Sequence, residues 1–179
     1  MKPLKIKIVV NNKSIPLGFR ELEQIATMLP DTDENADIFH ELAKSKSSGV
    51  RTAIARKMYL SAETAGLLVQ DDSVSVLCEI IKRDIGVVCL NLDLLAKFVE
   101  LGSTRLLKTV IQELDYIVNE FDVCPMDYIM DLLIQNDDPA VRFEMAGCDF
   151  IPKCYLKILA GDPDVSVAME AKRTLQDLD

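Results

Sequence analysis

Residues 134–143 read Ile-Gln-Asn-Asp-Asp-Pro-Ala-Val-Arg-Phe, and residues 159–168 read Leu-Ala-Gly-Asp-Pro-Asp-Val-Ser-Val-Ala. Each stretch ends one apolar run, turns at an Asp/Pro corner and opens the next run on Val. Asp and Ser accept hydrogen bonds from the free N–H groups of a first helical turn, and Pro suits that turn because it has no N–H to leave unpaired. The same phrase stands earlier as Gln70-Asp71-Asp72-Ser73-Val74. Weaker forms are Ser47-Ser48-Gly49-Val50 and Gly102-Ser103-Thr104-Arg105-Leu106. Taking Val50, Val74, Leu106, Val141 and Val165 as equivalent points gives steps of 24, 32, 35 and 24 residues. A period in this range marks an array of helical repeats.

Composition supports helix packed on helix. Of the 179 residues 49% are hydrophobic, which excludes a disordered chain, while Trp is absent and aromatics make up 6%. The longest apolar runs, such as residues 85–90, are too short to cross a bilayer. Residues 1–7 are basic but lack the apolar stretch of a secretion signal, so a cytoplasmic protein is expected. Cys78, Cys89, Cys124, Cys148 and Cys154 form no CxxC pair and read as reduced, buried small hydrophobes. His40 is the only histidine, remote from any set of metal ligands, so neither a metal nor another cofactor is expected.

The net charge of −9 is uneven, with residues 1–20 at +5 and residues 21–43 at −7. Lys5 to Val10 alternates β-branched and basic residues. Asn11-Asn12 accepts the positive φ of a tight turn, and Lys13-Ser14-Ile15 resumes the extended pattern. This predicts a hairpin over residues 1–18, with Ile6, Ile8 and Val10 capping Leu22 and Ile25 of the next helix. Capping helices follow at 19–46, the first over 19–29 and the second over 36–44. From 47 to 179 the two-helix units run to the end, so that the whole reads as a single compact unit. The second helix of each unit opens on an apolar residue and a helix-start residue, with an apolar residue eight positions on. These are Leu60-Ser61 to Leu68, Leu90-Asn91 to Phe98, Cys124-Pro125 to Leu132 and Ile151-Pro152 to Leu159. The last helix, 165–178, is expected to turn Ala168, Met169, Lys172 and Leu175 inward.

The Asp-Pro-Asp-Val-Ser-Val and Asp-Asp-Pro-Ala-Val-Arg corners, the Pro or Ser helix starts and the Leu67-Leu68, Leu132-Leu133 and Ile158-Leu159 endings carry a resemblance. Over residues 47–179 the chain resembles the HEAT-like α-solenoids, and within them the bacterial leucine-rich repeat variant. The resemblance implies an all-α-dominated, right-handed α-solenoid, here with a small N-terminal β-hairpin, in which each α-helix pairs with a shorter, often 3₁₀, helix. The iron–sulfur module described for that variant needs a cysteine cluster ahead of the repeats, and this chain has no cysteine before Cys78.

These readings lead to a non-enzymatic protein-interaction module, an adaptor, regulator or inhibitor. A stack of helices exposes a continuous surface that suits an extended or helical partner, and an acidic surface favours a basic one. The candidate contacts are Arg51, Arg56, Lys57, Lys82, Arg83, Lys108, Arg142, Lys172 and Arg173, with Asp71, Asp72, Asp137, Asp138, Asp162 and Asp164 at the corners. The corner acids also read as helix caps, and Arg51 and Arg142 as bridges to nearby acids. The alternative is a nucleic-acid-binding or DNA-repair protein of the alkylpurine glycosylase type. It needs a basic groove and aromatic residues that this acidic, Trp-free chain is short of. A chromophore lyase would rest on fold analogy alone. No G-x-S-x-G, P-loop or metal motif marks another enzyme. A monomer or a weak dimer formed through the hairpin edge is expected. Leu132 and Leu159 fall at equivalent interior places in this register, so truncating either to Ala is expected to cost about 2–5 kcal/mol in urea unfolding.

Overall fold

The computed structural model describes residues 7–83, 92–120 and 126–178. Two strands come first, β1 (Lys7–Val10) and β2 (Lys13–Pro16), paired antiparallel with Ile8 opposite Ile15 and Val10 opposite Lys13. Asn11 and Asn12 both take positive φ, 48° and 62°, the geometry of the tight primed turn. The helices are α1 (Phe19–Met28), α2 (Ala36–Ala43), α3 (Ser48–Ala55), α4 (Ala62–Leu68) and α5 (Val74–Arg83), then α6 (Leu92–Glu100), α7 (Thr104–Glu120), α8 (Met126–Ile134), α9 (Pro139–Ala146), α10 (Lys153–Leu159) and α11 (Val165–Asp177). A 3₁₀ turn, Asp33–Asn35, leads into α2. Among the described residues of 47–179 there is no 3₁₀ segment, and the short helices there are α-helical, unlike the often 3₁₀ helices that the resemblance implies.

The chain divides into two compact units, residues 1–83 and 84–179, a boundary that the reading of one continuous unit did not draw. In the first, α1, α3 and α5 pack in succession as one layer, and α2 and α4 form the other. In the second, α7, α9 and α11 form one layer, with α8 and α10 on the other side and α6 against α7. Ser61 caps α4 by accepting from the Thr64 N–H at 3.2 Å, and Pro152 stands at the start of α10. The caps expected from Asn91 and Pro125, and the apolar residues Leu90 and Cys124 before them, lie outside the described residues.

Corners into α3, α5, α7, α9 and α11 share one construction. A buried apolar residue ends the preceding helix, and a buried aliphatic residue eight positions on opens the next. The pairs are Leu42/Val50, Leu68/Val76, Phe98/Leu106, Leu133/Val141 and Leu159/Val167, each residue at most 1% exposed. Burying each such side chain stabilises by about 1.5–3 kcal/mol. Between them the chain turns on a side-chain oxygen two residues before the cap. Ser45 accepts from Ser47 N–H at 3.2 Å, Asp71 from Ser73 at 2.8 Å, Asn136 from Asp138 at 3.0 Å and Asp162 from Asp164 at 2.8 Å. At the third corner that place is Leu101, which has no oxygen to offer. The chain turns through Gly102 instead, at φ +58°, where a side chain would be strained.

This geometry corrects the sequence register. Val76 and Val167 are the buried equivalents of Val50, whereas Val74 is half-buried and Val165 is 71% exposed. In α11 the inward residues are Val167, Ala171 and Thr174, and Met169 is exposed. In α8 the buried residue is Leu133, with Leu132 half-buried. Ile129, Met130, Leu133 and Ile134 form the buried face of that helix and rotate Leu132 to its edge.

Of the hairpin face expected to cap α1, only Ile8 is described, since Ile6 and the Val10 side chain lie outside the described residues. Ile8, Val9 and Ile15 are 45–57% exposed, and the burial of Leu22 goes with the packing of α1 on α3. The C-terminal end of α1 is closed by Lys57. Its ammonium donates to Thr27 O at 3.1 Å and Leu29 O at 2.7 Å, and lies 5.8 Å from the centroid of the buried Phe39 ring. A cation there complements the negative end of the helix dipole, which α1 leaves without a basic residue of its own. Cys78 is buried as expected, while Cys154 is exposed.

Two outcomes follow for urea and thermal unfolding. Leu133→Ala and Leu159→Ala are each expected to cost about 2–5 kcal/mol, against roughly 1 kcal/mol or less for Leu132→Ala. Removing residues 1–16 is expected to shift the melting temperature by less than about 4 °C, because that segment's described side chains bury little.

Candidate functional site

Two arginines tie successive corners together. Arg51, four residues after its cap Ser47, donates from Nη1 to Ser45 O at 2.8 Å in its own corner. With Nε and Nη2 it grips both carboxylate oxygens of Asp71, at 2.6 and 2.9 Å, in the following corner. Arg142 repeats this. Nη1 donates to Asn136 O at 2.7 Å and Asp137 O at 3.2 Å, and Nε and Nη2 grip Asp162 at 2.7 and 2.9 Å. The fork is bidentate and largely covered, with the aspartate side chains 8% and 5% exposed. Burial pushes the Asp71 carboxyl up, but Arg51 and the Ser73 N–H outweigh it and hold it below the usual range. Asp162 is held low first by Arg142 and further by the Asp164 N–H.

The basic residues expected to contact a partner are therefore mostly engaged. Arg51 and Arg142 hold corners, and Lys57 is buried over the end of α1. Arg56 pairs with Glu79 at 3.1 Å, Lys108 with Glu144 at 2.9 Å, and Arg173 with Glu170 and Asp177. Arg83 reaches Met58 O at 3.4 Å. Lys82 and Lys172 stand exposed. Arg51, Arg56, Lys57, Lys82 and Arg83 belong to the first unit and Lys108, Arg142, Lys172 and Arg173 to the second, and within each unit most are paired. His40 binds Thr64 Oγ1 through Nδ1 at 2.9 Å and faces Glu63 from Nε2 at 3.4 Å, tying α2 to α4.

Acidity, by contrast, is concentrated. Residues 84–179 carry eighteen Asp/Glu against eight Lys/Arg, a net −10, so the second unit holds all of the chain's negative excess. Within it a cleft of about 660 Å³ opens beside the corner before α9. Val99, Leu132 and Tyr128 give it apolar surface. Asp131, Asp137 and Asp138 bring carboxylates, and none of its nine lining residues is basic. Asp138 is occupied, accepting from the Thr104 hydroxyl and the Ala140 N–H, which hold its carboxyl low. Asp131 and Asp137 are exposed, and neither forms a salt bridge with a described residue. The Tyr155 hydroxyl is pushed up to about 12 by desolvation and by its donation to Asp127, with the Asp131 charge adding to it. A second cleft of about 350 Å³ shares Gln135, Asn136 and Asp137 with the first. It continues to Ile158, Gly161 and Pro163, with the closed Arg142–Asp162 pair in its wall.

Asp138 and Asp164 were legible in the sequence as caps, whereas Asp71 and Asp162 accept two residues ahead of the cap and are clamped by arginine. The joined clefts were not legible, because Val99, Tyr128 and Leu132 meet only through the packing of the second unit. Among the described residues no group of three or more His, Cys, Asp or Glu stands close enough to hold a metal ion, and no helix is long and apolar enough to cross a membrane. Comparison with protein-family models, with curated proteins and with solved structures finds no match to the chain.

Because Asp71 and Asp162 ionise more readily folded than unfolded, their contribution to stability is complete above the unfolded value near 3.9 and is lost as the pH falls through the lower folded values. The melting temperature is expected to drop below about pH 4, more steeply in the wild type than in Asp71→Asn/Asp162→Asn. At neutral pH, Arg142→Ala should cost on the order of 3 kcal/mol by leaving Asp162 covered and unpaired.

Proposed function

We propose that this chain is a non-enzymatic protein-binding module of the HEAT-like, right-handed α-solenoid type, and that the joined corner clefts of its second unit receive a segment of a protein partner. The observation that carries this reading is the continuity of two clefts across Gln135–Asp137, apolar along their walls and edged by carboxylates that have no described salt-bridge partner. Protein grooves of this kind gain affinity from apolar burial and gain orientation and speed of encounter from charge. The recurrent corners support the repeat reading. They repeat one turn construction between successive helix pairs and so give successive corners comparable surfaces. Nucleic acid is the poorer fit, since a phosphate backbone would meet Asp131 and Asp137 rather than lysines.

A random peptide library displayed on phage and selected on the immobilised chain tests this without assuming a partner's chemistry. Gln135 is exposed and borders both clefts, so Gln135→Trp obstructs them at little cost to folding. Enriched peptides are expected to bind the wild type and to lose at least about tenfold in affinity for Gln135→Trp. Peptides indifferent to that substitution, or no enrichment at all, would overturn the proposal.

A further inference from the structure

Resting on that reading, we infer that the segment held is extended and carries a basic side chain followed or preceded by an apolar one, the basic residue in the larger cleft and the apolar residue in the smaller. The two clefts differ in chemistry. In the larger, Asp131 and Asp137 offer charge beside Val99, Leu132 and Tyr128. Lysine and arginine match both features, laying their methylene stems on apolar surface while the cationic head stays at the wet rim. Tyr128, 44% exposed, adds an aromatic ring to which a guanidinium or ammonium is attracted.

The smaller cleft has no carboxylate to spare on its far side. Asp162 is held by Arg142 through both oxygens, and the same carboxylate accepts from Asp164 N–H, so that wall is nearly neutral. Ile158, 59% exposed, and Pro163 supply apolar surface there. A charged side chain would lose hydration against them, with the only open carboxylate of that lining, Asp137, back at the shared rim, whereas a Leu, Ile or Met would bury area. The shared rim of Gln135, Asn136 and Asp137 then lies under the peptide bonds between the two anchors. The field of a unit at −10 draws a basic segment in, in a salt-dependent way.

Fluorescein-labelled peptides of one host sequence test this on the full chain, with Lys and Leu set one to three residues apart, in both orders, beside versions carrying Glu for Lys or Asp for Leu. At least one Lys/Leu spacing is expected to bind at least about fivefold tighter than its Glu or Asp counterpart, and to weaken as salt is raised. Asp131→Lys, exposed and confined to the larger cleft, should remove the preference for Lys over Glu while leaving the preference for Leu. Ile158→Asp, confined to the smaller, should do the reverse. Circular dichroism checks that both variants fold. Phage-selected peptides that bind at the clefts but show no preference for a basic residue would overturn this inference and leave the binding module standing. Failure of every selected peptide to respond to Gln135→Trp would overturn both.

Discussion

A guanidinium that closes one corner and clamps the acid of the next is the interaction on which the rest of the architecture depends. Arg51 and Arg142 sit at the same place in different units. Each spans from a backbone carbonyl six residues behind to an aspartate twenty residues ahead. The clamped aspartate is itself the turn-forming residue of its corner, so the position of one helix pair is passed to the next through a single rigid, planar group. Lysine would not do this, because one ammonium cannot present two parallel donors to a carboxylate while a third reaches back to the carbonyl. Beneath the latch, the apolar residues eight apart at each corner provide most of the stabilisation. The arginine sets direction rather than supplying the bulk of the energy.

Much of this was legible in the sequence, and the errors have a common source. The hairpin, with Asn11-Asn12 at positive φ, and the helix starts at Ser61 and Pro152 were readable because each is fixed by local chemistry. The register was misplaced by matching Val to Val at Val74 and Val165. The packing instead follows depth in the helix, three residues after the cap, which selects Val76 and Val167. The spacing of eight from Leu68, Leu133 and Leu159 was present in the sequence and would have found it. The expected cap of hairpin on α1 is a different case, with only Ile8 of its face among the described side chains. An alternating apolar face says that a strand can be covered, not what covers it, and Ile8 and Ile15 remain exposed. Lys57, read as a surface contact, was unpredictable locally, since its partners Thr27 and Leu29 lie about thirty residues away.

The same split explains why the candidate contacts shifted from basic residues to acidic ones. Arginines and lysines near the corners are absorbed by the fold, as latches and pairs, and contribute little outward field. Most corner acids are absorbed as well. Asp131 and Asp137 escape because Asp131 lies on the outer face of α8 and Asp137 stands between the two turn-forming positions, where neither backbone N–H groups nor Arg142's fork reaches its carboxylate. A surface built by repeated corners thus differs from corner to corner in the few side chains the scaffold does not use. In the second unit those are carboxylates beside Val99, Leu132 and Tyr128.

Hydrogen exchange read by mass spectrometry, on the full chain with and without a saturating Lys/Leu peptide, tests the central claim most directly. Binding in the joined clefts should slow exchange in peptides covering 128–138 and 158–163 and leave residues 7–16 and the helices of the first unit unchanged. Protection confined to the hairpin or to the first unit, or no protection on saturation, would contradict it.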